Sequence, residues 1–349
     1  MAEDNRNINE LVRESNGFTF LRYVFVYIVI SAHFCVLSDT DMFWITNGQV
    51  GVKAFFCISG FLVSYSFLRH DNLKKYFQRR AVRLFPPYFA VVALAFLLGW
   101  LVSTYPVADY FTSAQSYRYL FYNLCFMNFL EPSLPGVFEH NVMSAVNGSL
   151  WFVRLELVFC CLLPLLLFVF KKFGKWAMLG LAVFCFFLYI ASGFVFDHLT
   201  HEKLLLNIYL FMFFIAGMMM FVFFKWFYRF RFLMSLIGIG GVALSVYSDV
   251  VLVEIFEPLW FAMAIIGFAY VMKPLGFVDK IGDITYGLFL YHFPVIQCVV
   301  NFRLHEQNPY LAFVIVLIIT ITLSALSKIY IEKSIRKLLE NRNYRLKNS

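Results

Sequence analysis

The sequence predicts an all-α integral membrane protein with about ten transmembrane helices, and three observations support this fold class. Hydrophobic residues make up 61% of the 349 positions, charged residues only 14%, and the mean hydropathy is +0.74. Soluble domains have about 45–50% apolar and about 25% charged residues. The apolar residues fall in runs of about 20, the helix length that crosses a hydrocarbon core of about 30 Å. One membrane domain therefore accounts for most of the chain.

Ten apolar segments are long enough to be counted as spans. Their limits are 18–38, 50–69, 86–104, 149–170, 176–195, 204–224, 232–248, 253–273, 284–302 and 310–331. The domain limits that follow are a cytoplasmic tail over 1–17, the membrane domain over 18–331 and a basic cytoplasmic tail over 332–349. The segment 117–130 is too short and polar for a span, so we expect it to be interfacial or re-entrant.

Basic residues are concentrated on one side of the predicted membrane. With ten spans, 23 of the 29 Lys and Arg residues fall in the tails and in the loops of that side. The opposite loops keep only Arg118, Lys203 and Arg303. Because positive residues favour the cytoplasmic side, both termini are expected in the cytoplasm. The same topology explains the net charge of +8 without a nucleic-acid partner.

The first span contains two ionisable residues, Arg22 and His33. They are eleven positions apart, which at 100° per residue is three turns plus about 20°, so both side chains project from one face about 16 Å apart. An arginine and a deeper imidazole suit binding of an anionic donor and general base chemistry. The alternative is that Arg22 anchors the helix at the interface and His33 hydrogen-bonds a neighbouring helix.

A basic run precedes the third span, with Arg79, Arg80 and Arg83 before the pair Pro86 and Pro87. Arg80 and Arg83 share a face if this approach is helical, and the prolines are expected to redirect the backbone after it. Guanidinium pairs suit phosphate groups. The alternative is a simple topological anchor.

The fourth span contains a carboxylate, Glu156, a few residues after Ser149 and Trp151. Arg154 cannot face it at an offset of two on a helix. Glu156 therefore needs a partner from another helix, either in a structural pair or at a reacting centre.

The ninth span contains Tyr291 and His292, followed at once by Phe293 and the helix-perturbing Pro294. A single histidine in such a place is more often structural than catalytic. The seven cysteines are scattered and show neither a disulfide framework nor the spacing of a metal site, so no metal is expected.

Taken in order, these residues resemble the acyltransferase family 3 membrane proteins, bacterial O-acyltransferases that modify lipopolysaccharide, capsule and peptidoglycan sugars. In two places this chain departs from the family pattern. It has Thr19 where an acidic residue is common and Lys53 where Asp is frequent. The motifs that carry the resemblance are Leu21-Arg22 with His33, the segment 51–62, Arg80 and Arg83 before Pro86-Pro87-Tyr88, Ser149 and Trp151 with Glu156, and Tyr291-His292-Phe293-Pro294.

The resemblance implies a ten-helix O-acyltransferase of the bacterial inner membrane, in its stand-alone form without an esterase-like domain. It implies acyl-CoA, in the simplest case acetyl-CoA, as donor, a glycan or lipid-linked glycan as acceptor, and no permanently bound cofactor. Arg22 and His33 would be catalytic, with Glu156 orienting the imidazole, and Arg80 and Arg83, with Arg79, would hold the donor. Accessory positions are Trp151, Ser149, Tyr291 and His292.

A transporter or flippase for a lipid-linked glycan is the rival from another class, since buried Arg, His and Glu also mark transport pathways. No convincing inverted repeat is visible in the sequence. Covalent acylation of a glycan distinguishes the two functions.

Overall fold

The computed structural model describes residues 10–12, 16–42, 47–70, 72–196, 202–247, 253, 255–272 and 282–335. Within these ranges every regular element is helical, apart from one isolated bridge between Ser103 and Val137. The predicted all-α class is thereby confirmed. The helices are α1 (Phe18–Ser38), α2 (Gln49–His70), α3 (Leu73–Leu98), α4 (Val107–Thr112), α5 (Ala114–Leu124), α6 (Leu150–Phe196), α7 (Glu202–Val222), α8 (Phe224–Arg229), α9 (Arg231–Tyr247), α10 (Glu257–Val271), α11 (Thr285–Asn301), α12 (Leu304–Gln307) and α13 (Pro309–Leu326).

Five helices in the described part of the chain are long and apolar enough to cross a membrane, so this is a multi-pass membrane protein. Three shorter apolar helices coincide with further predicted spans. The count of ten spans and the cytoplasmic termini stay predictions. The long candidates are Phe18–Ser38, Gln49–Arg69, Leu73–Val102, Leu150–Leu188 and Pro309–Ile335, and the shorter ones are Leu206–Val222, Arg231–Tyr247 and Glu257–Val271.

The third span differs from the expectation at its start. Helix α3 begins at Leu73, well before the predicted limit at 86, and continues through Pro86 and Pro87. Proline removes one backbone donor, but membrane helices tolerate it because neighbouring groups satisfy the freed carbonyls. The expectation that the prolines redirect the backbone was wrong. The basic run before them is helical, as the shared face of its arginines requires.

The predicted fourth and fifth spans both lie within α6, which consists of two helices that meet at a kink at Gly174, between the predicted limits 170 and 176. This residue has φ 82° and ψ −178°, a conformation that glycine adopts without the clash a Cβ would cause. The doubtful segment 117–130 contains the short helix α5 and the turns after it.

The chain divides into two compact units. The first consists of residues 1–25, 49–76 and 155–282, and α2 packs there directly against α7. A Cβ on Gly60 would overlap the carbonyl oxygen of Phe214, and one on Gly217 would overlap that of Cys57. The two backbones therefore touch at glycines, the close approach that small residues allow between membrane helices.

A partly buried ion pair joins three helices of this first unit. Lys53 Nζ on α2 lies 2.8 Å from Glu257 Oε1 on α10, and each side chain is 15% exposed. Tyr209 on α7 donates to the other carboxylate oxygen. The lysine also stands 5.1 to 5.7 Å from the ring centres of Tyr209, Phe213 and Phe261. Lys53, which occupies a position where Asp is frequent in the resembled family, is thus neutralised by Glu257.

The second unit consists of residues 26–48, 77–154 and 283–349. Gln297 on α11 is fully buried, and its Nε2 donates to the carbonyl oxygens of Met143 and Ala145 at 2.6 and 2.7 Å. Asn141 donates back to Gln297 Oε1 at 2.9 Å. These bonds fix the long loop before α6 to the C-terminal half of α11.

Candidate functional site

Two histidines meet in the second unit, one from α1 and one from α11. His33 Nδ1 lies 2.8 Å from His292 Nε2, and the ring planes are inclined by only 18°. His292 is fully buried, and Phe293 closes the site with its ring centre 5.3 Å from that of His33. His33 therefore has an ionisable partner, His292, which was predicted from the sequence only as an accessory position.

The remaining nitrogen of His292 determines which atoms carry hydrogen. Its Nδ1 lies 3.1 Å from the carbonyl oxygen of Leu288, one turn earlier on α11. A carbonyl only accepts, so Nδ1 carries the hydrogen and the neutral ring presents a bare Nε2. His33 must then donate from Nδ1, and in the neutral imidazole this leaves His33 Nε2 as a bare acceptor. This is the tautomer that a general base requires.

The helix that carries His292 is held where its proline interrupts the hydrogen bonding. Pro294 has no N–H for the carbonyl of Leu290, four residues earlier. Asn147 Nδ2 donates to this oxygen at 2.9 Å instead, and Ser149 Oγ lies 3.1 Å from the next carbonyl, that of Phe289. Asn147 therefore replaces the missing backbone donor.

Gly148 lies between these two polar residues because there is no room for a side chain. A Cβ at Gly148 would stand 2.6 Å from the ring of Phe293. Asn147 thus donates to the segment around His292, and Gly148 packs against the ring of Phe293. The single hydroxyl hydrogen of Ser149 is shared between Phe289 and the side-chain oxygen of Asn147, which lies 2.7 Å away. Ser149, expected as an accessory position, is placed beside this segment; Asn147 was missed.

The arginines of the basic run lie on α3 in the second unit. Arg83 Nη2 stands 3.5 Å from Asp283 Oδ2, a partly exposed pair, and Arg80 is half-buried while Arg79 is exposed. Asp283 also contacts the first residue of α11, since its other oxygen accepts from the backbone N–H of Thr285 at 3.1 Å. A cation proposed for donor binding thus contacts the start of the helix that carries His292.

Glu156 is placed in the first unit, where it is 7% exposed. Ser59 Oγ on α2 donates to its Oε1, and the Sγ of Cys160 lies 3.7 Å from the same oxygen. Ser59 is therefore one interhelical partner of this carboxylate, a hydroxyl that the sequence did not single out. Contact between Glu156 and His33 stays a prediction.

Three further predicted residues are described by their place in the helices and their burial. Arg22 is half-buried in the second turn of α1, and Trp151 is half-buried at the start of α6. Tyr291, adjacent to His292, is 4% exposed. Among the described residues, no three His, Cys, Asp or Glu side chains are grouped so that they could hold a metal ion.

Comparisons with known proteins bear on the chemistry of this site. The acyltransferase domain family matches residues 15–328. Over 178 residues the chain is 29% identical to the O-acetyl transferase of Shigella phage Sf6. The aligned region is 50% of this chain and 52% of that protein. Over 152 residues it is 30% identical to nodulation protein 10 of Rhizobium leguminosarum bv. viciae, with 42% and 41% covered. The matches thus span about half the length of these relatives or less. No solved structure matches the chain.

Proposed function

Because the chain belongs to the acyltransferase family 3 membrane proteins, we propose that it transfers an acyl group from cytoplasmic acyl-CoA to a hydroxyl of a cell-surface glycan. The match extends over residues 15–328, and one relative is named an O-acetyl transferase, which supports acetyl as the group transferred. Lipopolysaccharide O-antigen and capsule are the acceptors in this proposal. The protein acts in the bacterial inner membrane.

The observation that carries the proposal is the histidine pair with its fixed tautomers. His33 Nε2 takes the proton of the acceptor hydroxyl while the hydroxyl oxygen attacks the thioester carbonyl. The new C–O bond forms, the C–S bond breaks, and the proton passes from Nε2 to the departing thiolate. In the two-step variant, the same bare nitrogen attacks the thioester carbonyl, and the C–S bond breaks as the thiolate leaves. The acceptor hydroxyl then attacks the acyl carbon, the C–N bond to His33 breaks, and the hydroxyl proton passes to the thiolate.

His292 takes the orienting role that the sequence analysis gave to Glu156. It holds His33 as the Nδ1–H tautomer and shares the positive charge when Nε2 takes up a proton, as the third member of a catalytic triad does. Because His292 is itself fixed by Leu288, the arrangement is set before substrate binds. Glu156, bonded to Ser59, contributes in this proposal by organising its own helix pair.

Donor binding is assigned to the arginines of α3. Arg80 and Arg83 hold the phosphates of the donor, assisted by Arg79, because guanidinium groups bind phosphate oxygens in a bidentate manner. Arg83 already contacts Asp283, so the phosphate competes with this carboxylate or rearranges it. Arg22, placed on the same helix as His33, orients the donor arm.

The test is transfer of radiolabel from acetyl-CoA to membrane glycans in cells that express the chain or its His33→Ala variant at matched abundance. Label on glycan with the parent chain alone supports the proposal. Undiminished transfer by the variant, correctly inserted, would remove the base from the mechanism. If neither protein transfers label while a lipid-linked glycan is flipped in vesicles, the chain is a transporter.

A further inference from the structure

A long apolar cavity lies in the first unit, among the second half of α6 and the helices α7 to α10, and its volume is about 490 Å³. Every lining side chain is aliphatic, aromatic or a methionine. Five of them are methionines, namely Met212, Met219, Met220, Met234 and Met263. Methionine is flexible and adapts its packing to irregular apolar partners. The lining therefore suits a hydrocarbon chain and offers almost nothing to a polar ligand.

The length of the cavity matches one leaflet of a bilayer. The lining extends from Met212 on α7 to Phe223, the residue directly after this helix, which at a rise of 1.5 Å per residue is about 16 Å. The hydrocarbon core is about 30 Å thick, so one leaflet is about half of that. One acyl chain of a membrane lipid fills such a length.

A second cavity of about 420 Å³ lies where α8 turns into α9, and it is basic. Arg229 and Arg231 line it together with Tyr270. The Cζ atom of Arg231 stands 4.3 Å from the ring centre of Tyr228, and its Nη1 donates to the carbonyl of that residue at 3.0 Å. This guanidinium is therefore held in place at the cavity rather than extended freely into water.

The two cavities adjoin along the chain. Trp226 and Phe227 line the apolar one, the next residues from Arg229 to Leu233 line the basic one, and Met234 lines the apolar one again. Trp226 is 57% exposed, as expected for an indole at the boundary between hydrocarbon and headgroups. The basic end lies on the side that the positive residues predict to be cytoplasmic.

We propose that these two cavities together bind one anionic glycerophospholipid of the cytoplasmic leaflet. Its phosphate lies at Arg229 and Arg231, and one of its acyl chains fills the methionine-rich cavity. The charge complementarity selects an anionic headgroup, since guanidinium groups pair with phosphate oxygens. A polyprenyl glycan carrier also ends in phosphate, but its chain is far longer than one leaflet. The site is independent of the proposed acyl transfer.

Native mass spectrometry of the purified full chain tests this site directly. The protein is loaded with phosphatidylglycerol or with phosphatidylcholine of identical chains, and the retained lipid is counted. Each basic side chain near the headgroups is worth about a fivefold preference for an anionic lipid. The double variant Arg229→Gln/Arg231→Gln should therefore lower retention of phosphatidylglycerol about 25-fold and leave phosphatidylcholine unchanged.

A variant that fills the apolar cavity tests the binding of the acyl chain separately from the binding of the headgroup. Val183→Trp places a large ring in the cavity from an exposed position on α6 and should lower retention of both lipids. If this variant is poorly folded by its melting curve, Ala182→Phe is the second choice. The matched control, Lys328→Gln/Lys333→Gln, removes two cations from another predicted cytoplasmic helix end and should retain lipid as the parent does.

Three outcomes overturn the proposal. The first is equal retention of the two lipids by the parent chain. The second is unchanged phosphatidylglycerol binding after loss of both arginines or after filling of the apolar cavity. The third is complete displacement of phosphatidylglycerol by an equimolar polyprenyl phosphate, which would assign the site to a glycan carrier.

Discussion

Replacing His292 by Phe should reduce transfer without removing the residue that reacts. The change keeps the ring and its packing beside Phe293 but removes Nε2, the atom that accepts from His33 Nδ1 at 2.8 Å. Because position 292 is fully buried, water cannot replace the lost acceptor. His33 then has no reason to keep its hydrogen on Nδ1, and part of the population moves it to Nε2, where it blocks base catalysis.

The magnitude follows from the cost of a buried donor left without its acceptor, which is about 1–3 kcal/mol. At 1.36 kcal/mol for each factor of ten, kcat should fall by about 5-fold to 150-fold. His292→Gln places a side-chain amide near the former Nε2 and should recover part of this loss. The KM for the acyl donor should be unchanged in both variants, because neither alters the arginines of α3.

The assay is the initial rate of label transfer in membranes with matched protein abundance and matched thermal unfolding curves. His305→Gln, a histidine on the short helix α12, is the control and should behave as the parent. A His292→Phe protein with the parent's kcat would refute the assignment of tautomers. So would a variant that loses rate only through a higher KM.

Other parts of the structure give three further predictions. Asn147→Ala leaves the carbonyl of Leu290 without a hydrogen-bond donor and should lower the free energy of unfolding by about 1–3 kcal/mol, measured by thermal unfolding. Adding Pro294→Ala restores the backbone donor to this carbonyl and should stabilise the Asn147→Ala variant more than it stabilises the parent. Lys53→Met leaves the partly buried Glu257 without its cation and should cost up to about 3 kcal/mol by thermal unfolding, whereas the double variant with Glu257→Gln should cost less than the two single changes together. Asp283→Asn removes the competitor of a donor-binding arginine and should lower the KM for acyl-CoA up to about fivefold, measured by initial rates, since a partly exposed pair is worth about 1 kcal/mol at most.

Hydropathy and charge made the membrane class and most helices predictable, because each span requires a long apolar run within its own segment of sequence. The errors came where the backbone depends on its neighbours. Local backbone rules predict that Pro86 and Pro87 interrupt the helix, yet α3 continues through them. By contrast, the break at Gly174 falls between 170 and 176, the predicted limits of the fourth and fifth spans.

The ionisable residues of the site could be nominated from the sequence, since burial of each one in a span is costly. Their partners could not, because periodicity fixes the direction of a side chain only relative to its own helix. Arg22 and His33 were related because they share α1. The contact of His33 with His292 joins two positions 259 residues apart, and nothing in either segment states which helices become neighbours.

One local signal did point toward the arrangement around His292. Pro294 comes two residues after the histidine, so the carbonyl of Leu290 had to lose its helical donor inside a membrane, where an unsatisfied polar group costs several kcal/mol. A buried donor from elsewhere was therefore required, and an asparagine directly before the Gly148-Ser149 motif is a suitable type. The proline thus makes position 292 depend on a second segment. A histidine held in this way on both sides can orient another ring, whereas one on a continuous isolated helix would have only its own turn to fix it.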